Sequence, residues 1–240
     1  MILVLVARVK NIKTAMEKKF NVIVIGSGPG GYVAAIKAAQ LGFETAVVER
    51  ANLGGICLNW GCIPTKALLK SAQALHYAQN GESYGFSIDG EIKVDIAKVV
   101  ERSRGVSAQM SKGVDYLLKK NKVTVINGDA SLTPDKKVAV KSGEGVELYE
   151  ADHIILATGA RPNSLPFAPI DGKKIISYFQ ALVPEKLPKS MAIIGSGAIG
   201  SEFAFFYKSM GVEQVHLIEY LDRIVPLEDD EVSAQLSRSF

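Results

Sequence analysis

From Asn21 to Ile25 the chain is apolar and β-branched without polar alternation, the pattern of a strand buried on both faces of a parallel sheet. Tyr32–Leu41 follows with alanines at helical spacing, so it reads as a helix lying close against that sheet, and Phe43–Val48 reads as a second strand. The same order returns later: Met191–Ile194 as strand, Ala198–Met210 as helix and Val215–Ile218 as strand. Between the two copies, Cys62–Gln79 and Val94–Lys120 have helical periodicity, the second alternating apolar with charged positions. Val123–Ile126, Lys137–Val140 and Val146–Tyr149 read as short strands, with Gly143-Glu144-Gly145 as a hairpin turn. His153–Leu156 reads as a buried strand running into Thr158-Gly159. Pro162, Pro166 and Pro169 then predict an extended connector and a domain boundary, and Glu231–Phe240 reads as a helix.

Glycines punctuate both copies at the same places. Gly26, Gly28 and Gly31 follow the first strand in the spacing G-x-G-x-x-G, and Gly195, Gly197 and Gly200 repeat it. The first glycine permits a tight turn, the second lets a pyrophosphate approach the backbone, and the third lets helix and strand touch. The phosphates then meet the positive end of the helix. Each following strand ends in an acid, Glu49 lying 21 residues after Gly28 and Glu219 lying 22 after Gly197. A carboxylate there accepts hydrogen bonds from an adenosine ribose. At Glu219 it favours a free 2′-hydroxyl, hence NAD over NADP. The fold class expected is α/β with two Rossmann-like dinucleotide-binding units, the first for FAD and the second, incomplete, for NAD. The assignment is 16–160 for the FAD-binding domain and 161–240 for the NAD-binding domain.

Composition adds little except at the start. A content of 48% hydrophobic and 22% charged residues is that of an ordinary globular protein. The net charge is +3, but residues 1–19 hold five basic side chains against one acid, so the remainder is slightly acidic and offers no nucleic-acid face. Met1–Ala7 is apolar but too short to span a bilayer and lacks the basic lead of a signal peptide. Met16 precedes Glu17-Lys18-Lys19-Phe20, so residues 1–15 are expected to be an extension without ordered structure; a basic organellar presequence is the other reading. No other stretch is apolar enough to cross a membrane.

Two cysteines, Cys57 and Cys62, lie five apart in Gly54-Gly55-Ile56-Cys57-Leu58-Asn59-Trp60-Gly61-Cys62-Ile63-Pro64-Thr65-Lys66. In an ideal helix that spacing means about 7.5 Å of rise, whereas a disulfide needs Cα atoms roughly 4.4–6.8 Å apart. Bridging them requires a distorted backbone, which Gly61 and Pro64 are suited to supply. A helix start also lowers a thiol pKa. A zinc site lacks further cysteine ligands, and a structural disulfide in so small a ring stabilises little. Two unconnected buried thiols remain the simplest alternative, against which stands their place just after a dinucleotide fingerprint.

Gly54–Leu69 closely resembles the redox helix of dihydrolipoamide dehydrogenases, class I pyridine nucleotide-disulfide oxidoreductases. The resemblance continues through Ala157-Thr158-Gly159-Ala160-Arg161-Pro162 and Val183–Asp230, and covers nearly everything from Met16 to Phe240. It implies FAD-dependent oxidation of protein-bound dihydrolipoamide with reduction of NAD through a Cys57–Cys62 disulfide. Cys57 would be the interchange thiol and Cys62 the thiolate beneath the flavin. Lys66 and Glu202 would be the pair near the flavin ring, and Gly128, Thr158 and Gly159 would line FAD by backbone contacts. Implied partners are lipoyl domains of 2-oxo acid dehydrogenase or glycine-cleavage complexes and, in the full-length family, a second copy as homodimer. No metal, nucleic acid or membrane is implied, and the expected compartment is the bacterial cytoplasm or, alternatively, a mitochondrial matrix. Against the family's pattern, the later interface domain and its His-Pro motif are not in this sequence. His76, His153 and His216 match that motif nowhere and read as structural. The alternative to an enzyme is therefore a truncated, non-catalytic remnant that binds FAD weakly or not at all.

Overall fold

The computed structural model describes residues 18–143 and 145–240. The expected extension over 1–15, the start at Met16 and the turn residue Glu144 lie outside the described residues. Contacts divide the chain into two units, each discontinuous in sequence. The first is the chain up to Asn59 with Ala108–Arg161, and the second is Trp60–Ser107 with Pro162–Phe240.

The first unit is built on a six-stranded sheet of order β3-β2-β1-β6-β5-β4. Its parallel half comprises β1 (Lys18–Ile25), β2 (Thr45–Glu49), β3 (Thr124–Asn127) and β6 (Gly145–Leu156). β4 (Asp129–Leu132) and β5 (Val138–Ser142) complete it in antiparallel pairing. Helix α1 (Pro29–Gln40) connects β1 to β2. Apolar side chains of β1, β2, β3, β5 and β6, among them Ile23, Val48, Val138 and Val140, form this unit's buried core. The parallel strands all end on one edge of the sheet, where open α/β sheets bind their ligands.

Two sequence expectations shift here. Val146–Tyr149 and His153–Leu156 are one continuous strand, because β1 pairs with it from Lys18↔Tyr149 to Ile25↔Leu156. Its last stretch is not buried: Ile155 is 39% and Leu156 63% exposed. The antiparallel partner β5 stops at Tyr149, which leaves the rest of β6 bonded on one side only.

In the second unit, α3 (Cys62–Gln79) and α6 (Ala198–Ser209) pack through Leu68, Ala72, Phe203, Phe206 and Tyr207. The strands β7 (Ser190–Ile194) and β8 (Gln214–Ile218) pair in parallel, and Met191, Ile193 and Val215 lie against the same core. Buried Tyr207 donates its hydroxyl to the Ala181 carbonyl at 2.8 Å, so this polar group is satisfied inside the apolar cluster. Two shorter helices complete the unit. α5 (Tyr178–Ala181) starts at a Ser177 capping box, and α7 (Asp230–Ser237) is capped by Asp229. The remaining helices are α2 (Gly55–Trp60), discussed below, and α4 (Ile96–Lys120), whose first turn is capped by Asp95 accepting from the Lys98 N–H at 3.1 Å. No described helix is long and apolar enough to cross a membrane.

Candidate functional site

Gly26 leaves β1 with φ +99°, and a Cβ there would stand 2.2 Å from the Ala157 carbonyl oxygen, so only glycine fits the turn. A Cβ at Gly31 would lie 1.8 Å from the Gly26 carbonyl oxygen, which is the direct reason helix and strand can touch. Gly28 differs from both. Its φ of −63° suits any residue, and a Cβ would meet nothing within 4 Å. Among the described residues nothing packs against that position. Gly28 is also the N-cap of α1, with Pro29 next and no side-chain cap, so the helix N–H groups are left unanswered by side chains.

At the end of β2, Glu49 is nearly buried. Its Oε2 accepts from the Ser27 N–H at 3.0 Å and the Ser27 hydroxyl at 2.6 Å, and its Oε1 from the Ala51 N–H at 2.9 Å. The acid is thereby fixed beside the glycine turn. Gly128 follows β3, its N–H bonded to the Glu49 carbonyl at 2.9 Å, and Thr158 and Gly159 follow β6. Gly26, Glu49, Gly128, Thr158 and Gly159 therefore all sit at the carboxyl ends of neighbouring parallel strands.

The segment leading to the cysteines is tied to this loop. The Gly54 N–H donates to the Ser27 carbonyl at 3.0 Å, and a Cβ on Gly55 would approach the Gly28 Cα to 2.6 Å. Leu53 is held by Ser111 of α4, whose hydroxyl reaches its carbonyl at 2.7 Å. Asn59 closes the short helix α2 on itself, its amide donating to Leu53 and Gly55 carbonyls at 2.9 Å each. Cys57 is half-buried within α2 and Cys62 is exposed as the first residue of α3. Gly61 breaks the helix between them with φ −147° and ψ −115°.

In the second unit Trp60 is held between Phe179, at 5.2 Å between ring centroids, and the Arg104 guanidinium, 4.4 Å over the indole. Partial burial lowers the Arg104 pKa from its usual value. Lys66, on the first turns of α3, makes an ion pair with Glu202 of α6. The resemblance paired these two residues across 136 positions of sequence, and the fold brings their side chains together.

The second glycine turn repeats the close helix–strand approach of the first, although a Cβ at Gly195 (φ +97°) would meet nothing within 4 Å. A Cβ at Gly200 would stand 1.9 Å from the Gly195 carbonyl oxygen, and Gly197 faces open space as the uncapped N-cap of α6. Glu219 Oε2 accepts from the Ser196 N–H at 2.9 Å and hydroxyl at 2.8 Å. Its Oε1 accepts from the Tyr220 and Leu221 N–H groups at 2.8 and 3.1 Å. These donors, the Ser196 N–H foremost, lower its carboxyl pKa to about 2, so it is a carboxylate at any ordinary pH. His76, His153 and His216 lie exposed on α3, β6 and β8. Sequence reasoning missed Ser27 and Ser196, although both units spell Gly-Ser-Gly and the repeated serine was the available signal.

Each unit fits a dinucleotide on its own geometry: an open glycine and an uncapped helix start for the phosphates, and an oriented acid for a ribose. α5 and α7, by contrast, have side-chain caps.

Comparison with known proteins agrees. The dihydrolipoyl dehydrogenase of Rhizobium etli is 51% identical over 234 residues, covering 91% of this chain and 48% of that protein. That of Zymomonas mobilis is 51% identical over 226 residues, covering 94% and 48%. Among solved structures, LpdA from Mycobacterium tuberculosis superposes with a TM-score of 0.83 at 27% identity, over 93% of this chain and 49% of that one. The chain thus spans about half the length of the relatives it matches. Residues 20–240 match the pyridine nucleotide-disulphide oxidoreductase family, and the chain belongs to it.

Proposed function

We propose that this chain carries the FAD-binding domain (16–160) and the opening of the NAD-binding domain (161–240) of a dihydrolipoyl dehydrogenase. The observation that carries the reading is the cysteine segment: Cys57 and Cys62 flank a helix break at Gly61, and that segment begins bonded to the first glycine turn. Membership of the pyridine nucleotide-disulphide oxidoreductase family supports it.

Gly26, Gly28, Gly31, Glu49, Gly128, Thr158 and Gly159 would hold FAD, and Gly195, Gly197, Gly200 and Glu219 would hold NAD. FAD bound there would supply a two-electron acceptor. Both cysteines are reduced thiols in this structure; with the pair oxidised to a disulfide, a dihydrolipoamide thiolate would attack Cys57 Sγ, the Cys57–Cys62 bond would break and Cys62 would leave as thiolate. The second substrate thiol, losing its proton, displaces Cys57 and releases lipoamide, so two electrons remain on the cysteine pair. Lys66 and Glu202 keep a fixed pair of charges on α3 and α6. The substrate-bearing partners are lipoyl domains of 2-oxo acid dehydrogenase or glycine-cleavage complexes, the full-length protein is a homodimer, and the setting is the bacterial cytoplasm.

Trapping the thiol exchange tests the assignment. Chains carrying Cys62→Ser or Cys57→Ser are incubated with oxidised lipoamide and weighed by mass spectrometry. Cys62→Ser, which keeps Cys57, should gain one lipoamide as a mixed disulfide, and Cys57→Ser should react far more slowly. Capture by Cys62 alone, or by neither cysteine, would sink the proposed roles.

A further inference from the structure

We propose that Ser196 determines nucleotide specificity in the second unit, by holding the Glu219 carboxylate where it accepts a ribose 2′-hydroxyl and repels a 2′-phosphate. The inference rests on the NAD reading above and deepens it. A G-x-G-x-x-G turn needs its glycines for shape, but nothing in the turn requires serine at the second position. Ser196 is 0% exposed, and a buried hydroxyl is costly unless bonded. It donates to Glu219 Oε2 at 2.8 Å.

Of the four donors around Glu219, three are backbone N–H groups that the chain supplies whatever the side chains. Among the described residues the Ser196 hydroxyl is the one side-chain donor, and so the one that a substitution can remove cleanly. Its bond pins Oε2 toward the interior. The other oxygen accepts from the backbone N–H groups of Tyr220 and Leu221. The first unit has the same arrangement, with Ser27 bonding Glu49 Oε2 through both its N–H and its hydroxyl. Both copies of the Gly-Ser-Gly turn form the same clamp, which points to the acid's pose as what the serine secures. Without the hydroxyl, Oε2 keeps one donor and the carboxylate can turn away from the ribose. Both the attraction for a 2′-hydroxyl and the repulsion of a 2′-phosphate then weaken together.

The test measures NADH and NADPH dissociation constants on the purified chain by nucleotide fluorescence, for wild type, Ser196→Ala, Ser196→Gly, Glu219→Gln and Ser196→Ala in the Glu219→Gln background. Wild type should prefer NADH, and Ser196→Ala and Ser196→Gly should reduce that preference roughly tenfold, the scale of one bond to a charged acceptor. In the Glu219→Gln background the serine change should have no further effect on the ratio, because it acts through the acid. An unchanged NADH to NADPH ratio in both serine variants overturns the inference, and so does an equal loss of both nucleotides, the mark of a merely structural serine. A wild-type chain without NADH preference would instead sink the NAD reading itself, and that failure is visible before any substitution is made.

Discussion

Replacing Gly28, Gly30 or Gly31 by alanine adds the same methyl group at neighbouring positions, and the structure separates the three outcomes. At Gly31 the new carbon would stand 1.8 Å from the Gly26 carbonyl oxygen and 2.8 Å from its carbon. Both are backbone atoms, anchored by the Gly26 N–H to Val48 carbonyl bond of 2.8 Å, so neither can rotate aside. Reaching ordinary contact would require α1 and β1 to part by roughly 1.5 Å. Overpacking typically costs about 1–3 kcal/mol, and a backbone clash belongs at the upper end. Alanine returns about 1 kcal/mol over glycine within a helix, leaving a net loss of about 2 kcal/mol. With a urea dependence of about 1–3 kcal/mol per molar, the first unit's unfolding midpoint should fall by about 1 M.

Gly30→Ala meets nothing within 4 Å and should leave that midpoint unchanged or raise it. Gly28→Ala also meets no protein atom at a permissive φ, and the unfolded-state gain is offset by the N-cap preference for glycine over alanine, so stability should change little. FAD affinity, however, should fall roughly 10- to 100-fold, the equivalent of overpacking against a phosphate. Urea melts and FAD titrations on the three variants decide the matter. A Gly31→Ala protein that melts with wild type would refute the close-approach argument. A Gly28→Ala protein that keeps its FAD affinity would refute the phosphate argument.

Other expectations follow from single contacts. Tyr207→Phe strands the Ala181 carbonyl in an apolar cluster and should lower stability by about 1–3 kcal/mol in urea melts. Lys66→Met should shift the urea midpoint little, since the pair with Glu202 is 60% and 26% exposed and such pairs contribute about 0–1 kcal/mol, while reduction of added FAD by dihydrolipoamide slows markedly in a stopped-flow assay. Because the folded Glu219 pKa is depressed to about 2, its contribution is present above the unfolded value near 4.5 and is lost as pH falls toward 2. Acid titration of stability should therefore lose part of its slope between about pH 4.5 and 2 in Glu219→Gln, and an unchanged slope would show that the carboxylate is not so bound.

Features that depend on a few neighbouring residues were legible in the sequence. Both glycine turns, the acids that end β2 and follow β8, and the long helices α3 and α4 could be read because local geometry dictates them. What escaped depended on distant partners. β6 looked like two strands because Glu150, Ala151 and Asp152 interrupt its apolar pattern; Phe20 pairs with Ala151 and Lys19 bonds Asp152 at 3.0 Å, so the strand continues. β4 is four largely exposed residues without apolar alternation, and only its register with β5 makes it a strand. α2 begins beside two glycines at positive φ, a spelling that reads as loop, and is held by Asn59 and Ser111. Arg104 stacking on Trp60 had no sequence signal at all, and Lys66 with Glu202 had one only through family resemblance.

The decisive observation is the visible absorption spectrum of the purified chain with FAD, before and after dihydrolipoamide. If the first unit holds FAD and Cys57 and Cys62 exchange with the substrate, flavin absorbance should copurify or reconstitute close to one per chain. Reduction should then bleach it and raise a new long-wavelength band that is absent in Cys62→Ser. A chain that stays colourless, or a bound flavin whose spectrum dihydrolipoamide leaves untouched, would contradict the account.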